Sequence, residues 1–527
     1  GAFERAAVLR AAALIEESRF EEAGAAIHEL LSALPDEPVP QLLDGNLKFH
    51  LGDYEGAAER LKVLDTSPEA APSWRSLAEI IESTREATKG FVEARSPEGH
   101  FIIRYAPGRD EYLLPYAFEA LEAARREIGV RDFEAGARLG DPVRVEIFPE
   151  VTDLAKVSTL SLKDIETTGT IAICKFNKLM ITSPRALVHG YPWLDTLAHE
   201  YTHFIVTRVS RNAAPIWLQE GLAKFEERRW RLSQEEVAAG GGLTPTMEHL
   251  LASALAGAPD HKGGRPRRLI TFEEMYPSMA KLPSQEDGAL AFAEVQTVVE
   301  YLQSRKGWVG MREVLAKMGE GQDDAHAVAE VVGQGFDEFQ RSWRTWLRGR
   351  KLRTHPGLAP ATLKFQRGTP QDRRKREKED PADVDASEVA EERARRYLRL
   401  GGLLRAQNRL APAAMEYEKA LAIVGPGNAA VAGRLARTYL ALGDVDHAIA
   451  VAAPAFELYP EGSGLASVLG EAHLRKKERD KAVPYLLAAI RTNPFDPSPH
   501  CALSQIWGAS DPRGAREERA CAGLANP

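Results

Sequence analysis

The chain has 527 residues, 44% of them hydrophobic and 27% charged, with a formal net charge of −8. That balance suits a globular protein of about three or four domains and excludes a generally basic nucleic-acid binder. Three cysteines (Cys174, Cys501 and Cys521) do not indicate a disulfide framework, and a Cys501–Cys521 pair stays open. No apolar run approaches the ~18–20 residues of a membrane-spanning helix.

The N-terminal segments FEEAGAAIHELLSALP and YEGAAERLKVLDTSP align at a fixed spacing. Phe20 and Tyr54, Ala23 and Ala57, and Leu30 and Leu64 fall in register. The reading is two helical repeats in the first 70 residues, followed by a capping helix over SWRSLAEIIESTREATKGFVEA. A generic helical hairpin is the alternative. The pattern then changes. GHFIIRYA and PVRVEIFPE are short, β-rich and bounded by Gly and Pro, so they read as strands, with a helix over YLLPYAFEALEAARREIG between them. TIAICKFNKLMITSP reads as two short strands, or one bent strand, around Phe176 and Asn177. Cys174 in this run reads as a small buried hydrophobe. Strands first and helices later fit an α+β domain.

From Gln366 the chain is dense in charge of both signs and poor in large apolar residues, which reads as a solvated linker. Beyond it, Ala414, Ala448 and Ala482 recur at one interval, and Pro426, Pro460 and Pro494 at the same interval. Each amphipathic helix is expected to stop at its proline, because the ring cannot continue the helical bonding. This layout resembles tetratricopeptide repeats, helix–turn–helix units of 34 residues.

The chemistry lies in PWLDTLAHEYTHFIVTRV. Residues four apart on a helix share a face, so His199 and His203 present their imidazoles together, as two corners of a tetrahedral zinc site. Glu200 can lean toward a metal-bound water, and Asp195 is the expected N-cap. A two-histidine site needs a third protein ligand. Glu220, opening the apolar-periodic segment with Leu222, Ala223 and Phe225, can supply it from a second helix, with Gly221 allowing close packing. Asp195, Glu226 and Glu227 are candidates to orient the histidines from behind.

HExxH followed by WLQEGLAKFEE resembles the gluzincin metallopeptidases of the peptidase MA-like group and, in these two motifs, the aminopeptidase N family. The likeness spans roughly residues 98–350. It implies a thermolysin-like α+β domain, one zinc ion per chain held by His199, His203 and Glu220, and Glu200 as catalytic base. It implies that the strand around Ile171–Ile173 aligns an extended peptide by main-chain pairing; an ordinary buried strand is the alternative. Where related enzymes carry an oxyanion-binding tyrosine, Phe292 stands here. Tyr191, Tyr201, Tyr276, Tyr301 and His189 are the other residues with a donor to offer.

The organisation expected is repeat-like helices in 1–95, the metallopeptidase domain in 96–355, a charged linker in 356–392 and tetratricopeptide repeats in 393–527. The functional expectation is a zinc-dependent hydrolase of peptide bonds. Its repeats would bind substrate or partner proteins, and it would have no nucleic-acid partner. No acidic anchor for a substrate amine is recognisable, so the reading leans to an endopeptidase over an aminopeptidase. A catalytically weak scaffold carrying interaction repeats, and a zinc hydrolase of non-peptide bonds, are the alternatives. High Ala, Arg and Gly use suggests a bacterial source. The compartment stays open, with a lean to the periplasm or cell envelope, an export signal having been removed, against the cytoplasm.

Overall fold

The computed structural model describes residues 2–525 except 36, 68–70, 141, 233–235, 237–241, 259–265, 356–357, 359–362, 367–388 and 390. The chain folds as two compact units. One comprises residues 1–183, 195–239 and 271–349; the other comprises 184–194, 240–270 and 350–527.

The first unit begins with five helices: α1 (Ala2–Glu16), α2 (Phe20–Ala33), α3 (Pro38–His50), α4 (Tyr54–Leu61) and α5 (Pro72–Ala87). Phe20 and Tyr54, in register in the sequence, are each the first residue of their helix. Ala23 and Ala57 are fully buried where the helices meet. The capping helix is shorter than expected. It ends at Ala87, and Val92–Arg95 instead forms β1. Gly90 has a φ of 80°, which turns the chain out of the helix so that β1 can pair antiparallel with β2 (Phe101–Tyr105).

β2 is followed by α6 (Leu114–Ala124), whose end widens into a π-helical turn over Arg125–Asp132. Then come β3 (Val143–Phe148), α7 (Val151–Val157), α8 (Leu162–Thr168), β4 (Ala172–Lys175) and β5 (Lys178–Thr182). The sheet order is β1-β2-β3-β5-β4. β2, β3 and β5 run parallel, and antiparallel β1 and β4 form the edges. Phe176 and Asn177 both have positive φ, 53° and 60°, the two-residue turn that matches strand twist in a hairpin. TIAICKFNKLMITSP is therefore two strands, not one bent strand. Helices α9 (Trp193–Val209), α10 (Ile216–Glu226), α11 (Gln285–Gly319), α12 (Asp324–Val332) and α13 (Phe336–Gly349) follow. α11 breaks at Gly307, whose φ of 62° and ψ of −171° are not helical.

The second unit is mainly helical pairs: α14 (Glu392–Ala406) with α15 (Leu410–Val424), α16 (Ala429–Leu442) with α17 (Val445–Leu458), α18 (Ser463–Arg475) with α19 (Arg479–Thr492), and α20 (Pro497–Trp507) with α21 (Pro512–Ala525). α15, α17 and α19 each stop two residues before Pro426, Pro460 and Pro494. Ala414, Ala448 and Ala482 are buried between paired helices. Cys501 and Cys521 are joined as a disulfide that ties α20 to α21. Residues 363–366 of the expected linker are described: the Val188 amide donates to the Lys364 carbonyl and the Gln366 amide to the Ala186 carbonyl. Residues 367–388, the bulk of that linker, lie outside the described residues. Among the described residues no helix is long and apolar enough to cross a membrane.

Candidate metal centre

α9 is built to present one polar face from a buried helix. Leu197, Ala198, Tyr201, Phe204, Ile205 and Val206 are all buried, while the side chains of His199 and His203 keep 12% and 13% exposure on the face between them. α10 carries Glu220 in the middle of the helix. The helix starts at Ile216, four residues before the start expected from the apolar pattern, because Pro215 supplies the N-terminal stop. Gly221 matters for close packing, but against α11: a Cβ there would lie 2.8 Å from the Val295 carbonyl oxygen.

Three donor atoms converge. His199 Nε2 and His203 Nε2 are 3.2 Å apart. Glu220 Oε2 lies 3.3 Å from the first and 3.2 Å from the second. Tetrahedral zinc with bonds of about 2.0–2.1 Å separates its N and O donors by about 3.4 Å, so this triangle fits one face of such a site. Burial alone would lower the pKa of His199, but hydrogen bonds to Glu220 and Glu227 outweigh it and bring it up to about 10. His203 is raised too, by the Glu220 charge against the same burial. Burial opposes ionisation of Glu220, and the two imidazoles overcome it and hold the carboxyl well below the usual range. Two imidazoles and one carboxylate whose shifts all favour positive charge between them match the donor set of a cation site.

Glu200, the residue after His199 on α9, is 5% exposed. Its Oε2 is buried without a hydrogen-bond partner. Desolvation raises its pKa; the nearby His203 and His199 and the Cys174 backbone amide of edge strand β4 pull the other way. Burial and the Glu200 charge push the half-buried Cys174 thiol well above its ordinary range, which disfavours a thiolate there.

Of the three carboxylates considered as orienting partners, one does this. Glu227 Oε2 lies 3.4 Å from His199 Nδ1 and is itself held by Lys224 Nζ, 2.7 Å from Oε1. Asp195 is not the N-cap but lies inside the first turn of α9; it pairs with Arg231 at 2.6 Å and accepts from the Trp230 indole at 2.9 Å. Glu226 faces Arg229 at 3.2 Å. The second orienting residue is Gln219, whose Oε1 is 3.3 Å from His203 Nδ1. Sequence reasoning passed over it; a polar residue in the otherwise apolar opening of α10, next to a ligand candidate, was the available signal.

Phe292 lies beside the centre, its ring 6.1 Å from the His199 ring, with Lys224 Nζ 5.9 Å from its centroid. The other tyrosines have different surroundings. Tyr201 packs on Phe101 and Phe204, Tyr301 on Phe339 and Trp346, Tyr276 is 76% exposed, and Tyr191 is buried.

Residues 124–349, which contain all of these groups, match the family model of the Peptidase MA superfamily. No curated protein matches the chain. Among solved structures the chain is similar to the Cut9–Hcn1 heterotetramer of the APC/C, at 12% identity over 99% of this chain and 79% of that one, with a TM-score of 0.25. It is similar to yeast Tom70 at 12% identity over 97% and 90%, with a TM-score of 0.20. At those scores neither likeness bears on the fold.

Proposed function

We propose that this chain is a zinc-dependent metallopeptidase of the gluzincin type, with a thermolysin-like catalytic domain. His199, His203 and Glu220 are its metal ligands and Glu200 is its general base. The observation that carries the reading is the triangle of donor atoms 3.2–3.3 Å on a side, with a buried carboxylate oxygen left open next to it. Bound zinc would supply a water of lowered pKa and a Lewis acid for the scissile carbonyl. The chain's own part is positional and protonic. Glu227 and Gln219 fix the ring orientations of His199 and His203. Burial keeps the Glu200 carboxylate basic enough to take a proton at Oε2 and return it to the leaving amine. Edge strand β4, through which the Cys174 amide faces Glu200, has an outer side that can pair with an extended peptide.

The expected segments 1–95, 96–355, 356–392 and 393–527 remain the domain reading. The helical pairs of the last segment act as tetratricopeptide repeats that bind protein partners or substrate. The Cys501–Cys521 disulfide favours an oxidising compartment, in line with the periplasm or cell envelope.

Metal content by mass spectrometry tests the centre. The expected result is about one zinc per chain, lost in a His199→Ala, His203→Ala variant. Glu200→Gln is expected to keep the metal and lose turnover of a peptide pool by about 10²–10⁴-fold. A wild type that binds no zinc when supplied with it at neutral pH removes the proposal. A second reading, a weakly active scaffold, is favoured by Phe292, which has no hydrogen to donate to an oxyanion. Phe292→Tyr separates the two: a gain of about tenfold or more in kcat marks an enzyme lacking one donor, and zinc binding without turnover in either form marks the scaffold.

A further inference from the structure

The turn between α1 and α2, the C-terminal end of α9 and the residues before β3 enclose a half-open cavity of about 260 Å³ in the first unit. Four arginines and two glutamates line it, leaving two net positive charges. The charges are not evenly matched. Arg19 takes both carboxylates, with Nη2 2.7 Å from Glu22 Oε2 and Nη1 3.1 Å from Glu17 Oε2. Among the described residues no carboxylate forms an ion pair within 4 Å of Arg138, Arg208 or Arg211, although Glu22 feels the Arg211 charge.

Arg208 is the telling one. Its Nη2 donates to Asn177 Oδ1 at 2.6 Å, and its guanidinium lies 4.8 Å from the Phe204 ring centroid and 5.4 Å from that of Phe20. Its Nε is buried with no acceptor. Desolvation pulls its pKa down, as happens to a buried cation without a counter-ion. Gly140 leaves the guanidinium its space; a Cβ there would come 2.8 Å from it. A largely buried charge without a counter-ion is costly and is kept where something else completes it.

We infer that this cavity binds a small oxyanion of two or more negative charges, held by Arg208, Arg138 and Arg211. Guanidinium forks match phosphate and carboxylate oxygens in bidentate pairs. A space of this size accepts a phosphate-bearing or dicarboxylate molecule and is small beside pockets for drug-sized ligands, roughly 300–1,000 Å³. The site is separate from the metal centre: Arg208 is five residues beyond His203 on α9, about 7.5 Å along the helix axis. A bound anion would tie the α1–α2 turn to the end of the helix that carries the histidines.

The test is isothermal titration of the full chain with sodium phosphate and, in parallel, with succinate, against sodium chloride at matched ionic strength. The expected result is saturable 1:1 binding of at least one of the two. Preference for phosphate points to a phosphorylated metabolite, and preference for succinate to a dicarboxylate. Arg138 and Arg211 are exposed, so Arg138→Ala with Arg211→Ala should leave the melting temperature without anion unchanged and weaken binding by about tenfold or more. The His199→Ala, His203→Ala variant should bind the anion as wild type does, which separates this site from the metal centre. Heat that tracks ionic strength alone, or binding unchanged in the double arginine variant, overturns the inference.

Discussion

Among the buried clusters of ionisable groups in the first unit, two are built on opposite principles. Between the N-terminal helices and the sheet, Lys178 and Glu146 are each 1% exposed and 3.4 Å apart. Lys178 Nζ donates to the Tyr54 hydroxyl at 2.6 Å, and that hydroxyl donates to Glu146. The ammonium also lies over the rings of Tyr54 and Phe49. This cluster contains its own cation and is closed. The second cluster brings ligand atoms of His199, His203 and Glu220 together around one point, with Glu200 beside them, and the positive charge favoured there is carried by protons on the two imidazoles. A buried set that carries its own lysine fastens elements together, whereas converging ligand atoms whose positive charge is only protons can exchange those protons for a cation from outside.

The comparison can be broken most forcefully at Lys178. Lys178→Met leaves Glu146 buried without its cation and should cost about 3–5 kcal/mol of unfolding free energy by urea titration, with zinc content unchanged. The metal centre should respond in the other currency. Glu227→Gln should weaken zinc affinity by about 10–100-fold in a chelator competition while shifting the urea midpoint little. If Lys178→Met strips the metal, or Glu227→Gln unfolds the chain, the division between fastening and receiving is wrong.

Acid provides a third probe, beside the closed cluster. His50 Nδ1 is buried without a partner, among the rings of Phe20, Phe49 and Phe176. Burial, helped by the Lys178 charge, pushes its pKa down to about 4 from 6.5. The unfolded chain then binds the proton more readily than the folded one. The stability gained is fully present above pH 6.5 and is lost as pH falls toward 4. Between pH 7 and 5 the loss should be about 2 kcal/mol, and His50→Phe should remove that part of the slope. The smallest effect is expected from Tyr54→Phe. It deletes the hydroxyl but keeps the Lys178–Glu146 pair, for about 1–2 kcal/mol.

How much of this was legible beforehand differs between the two clusters for a plain reason. His199 and His203 are four apart on one helix, so their shared face follows from helical geometry alone, and Glu200 is the next residue after His199. Glu220 lies a loop away and was legible because its motif resembles a known pattern. Tyr54, Glu146 and Lys178 are separated by 92 and 124 residues. The hint they left was charged residues inside apolar strands. Among Asp195, Glu226 and Glu227, spacing offered no way to choose, since the three point toward different neighbours once α9 and α10 are packed.

The sequence by itself determined what depends on near neighbours along the chain: the helical pairs with buried alanines and helices ended before each proline, and the histidine face of α9. Tertiary structure alone decided the sheet order, the strand fate of Val92–Arg95, the roles of Glu227 and Gln219, the disulfide between Cys501 and Cys521 and the arginine cavity. Each of these depends on groups that are distant in sequence. Their meeting is set by how whole elements pack, which local periodicity does not encode.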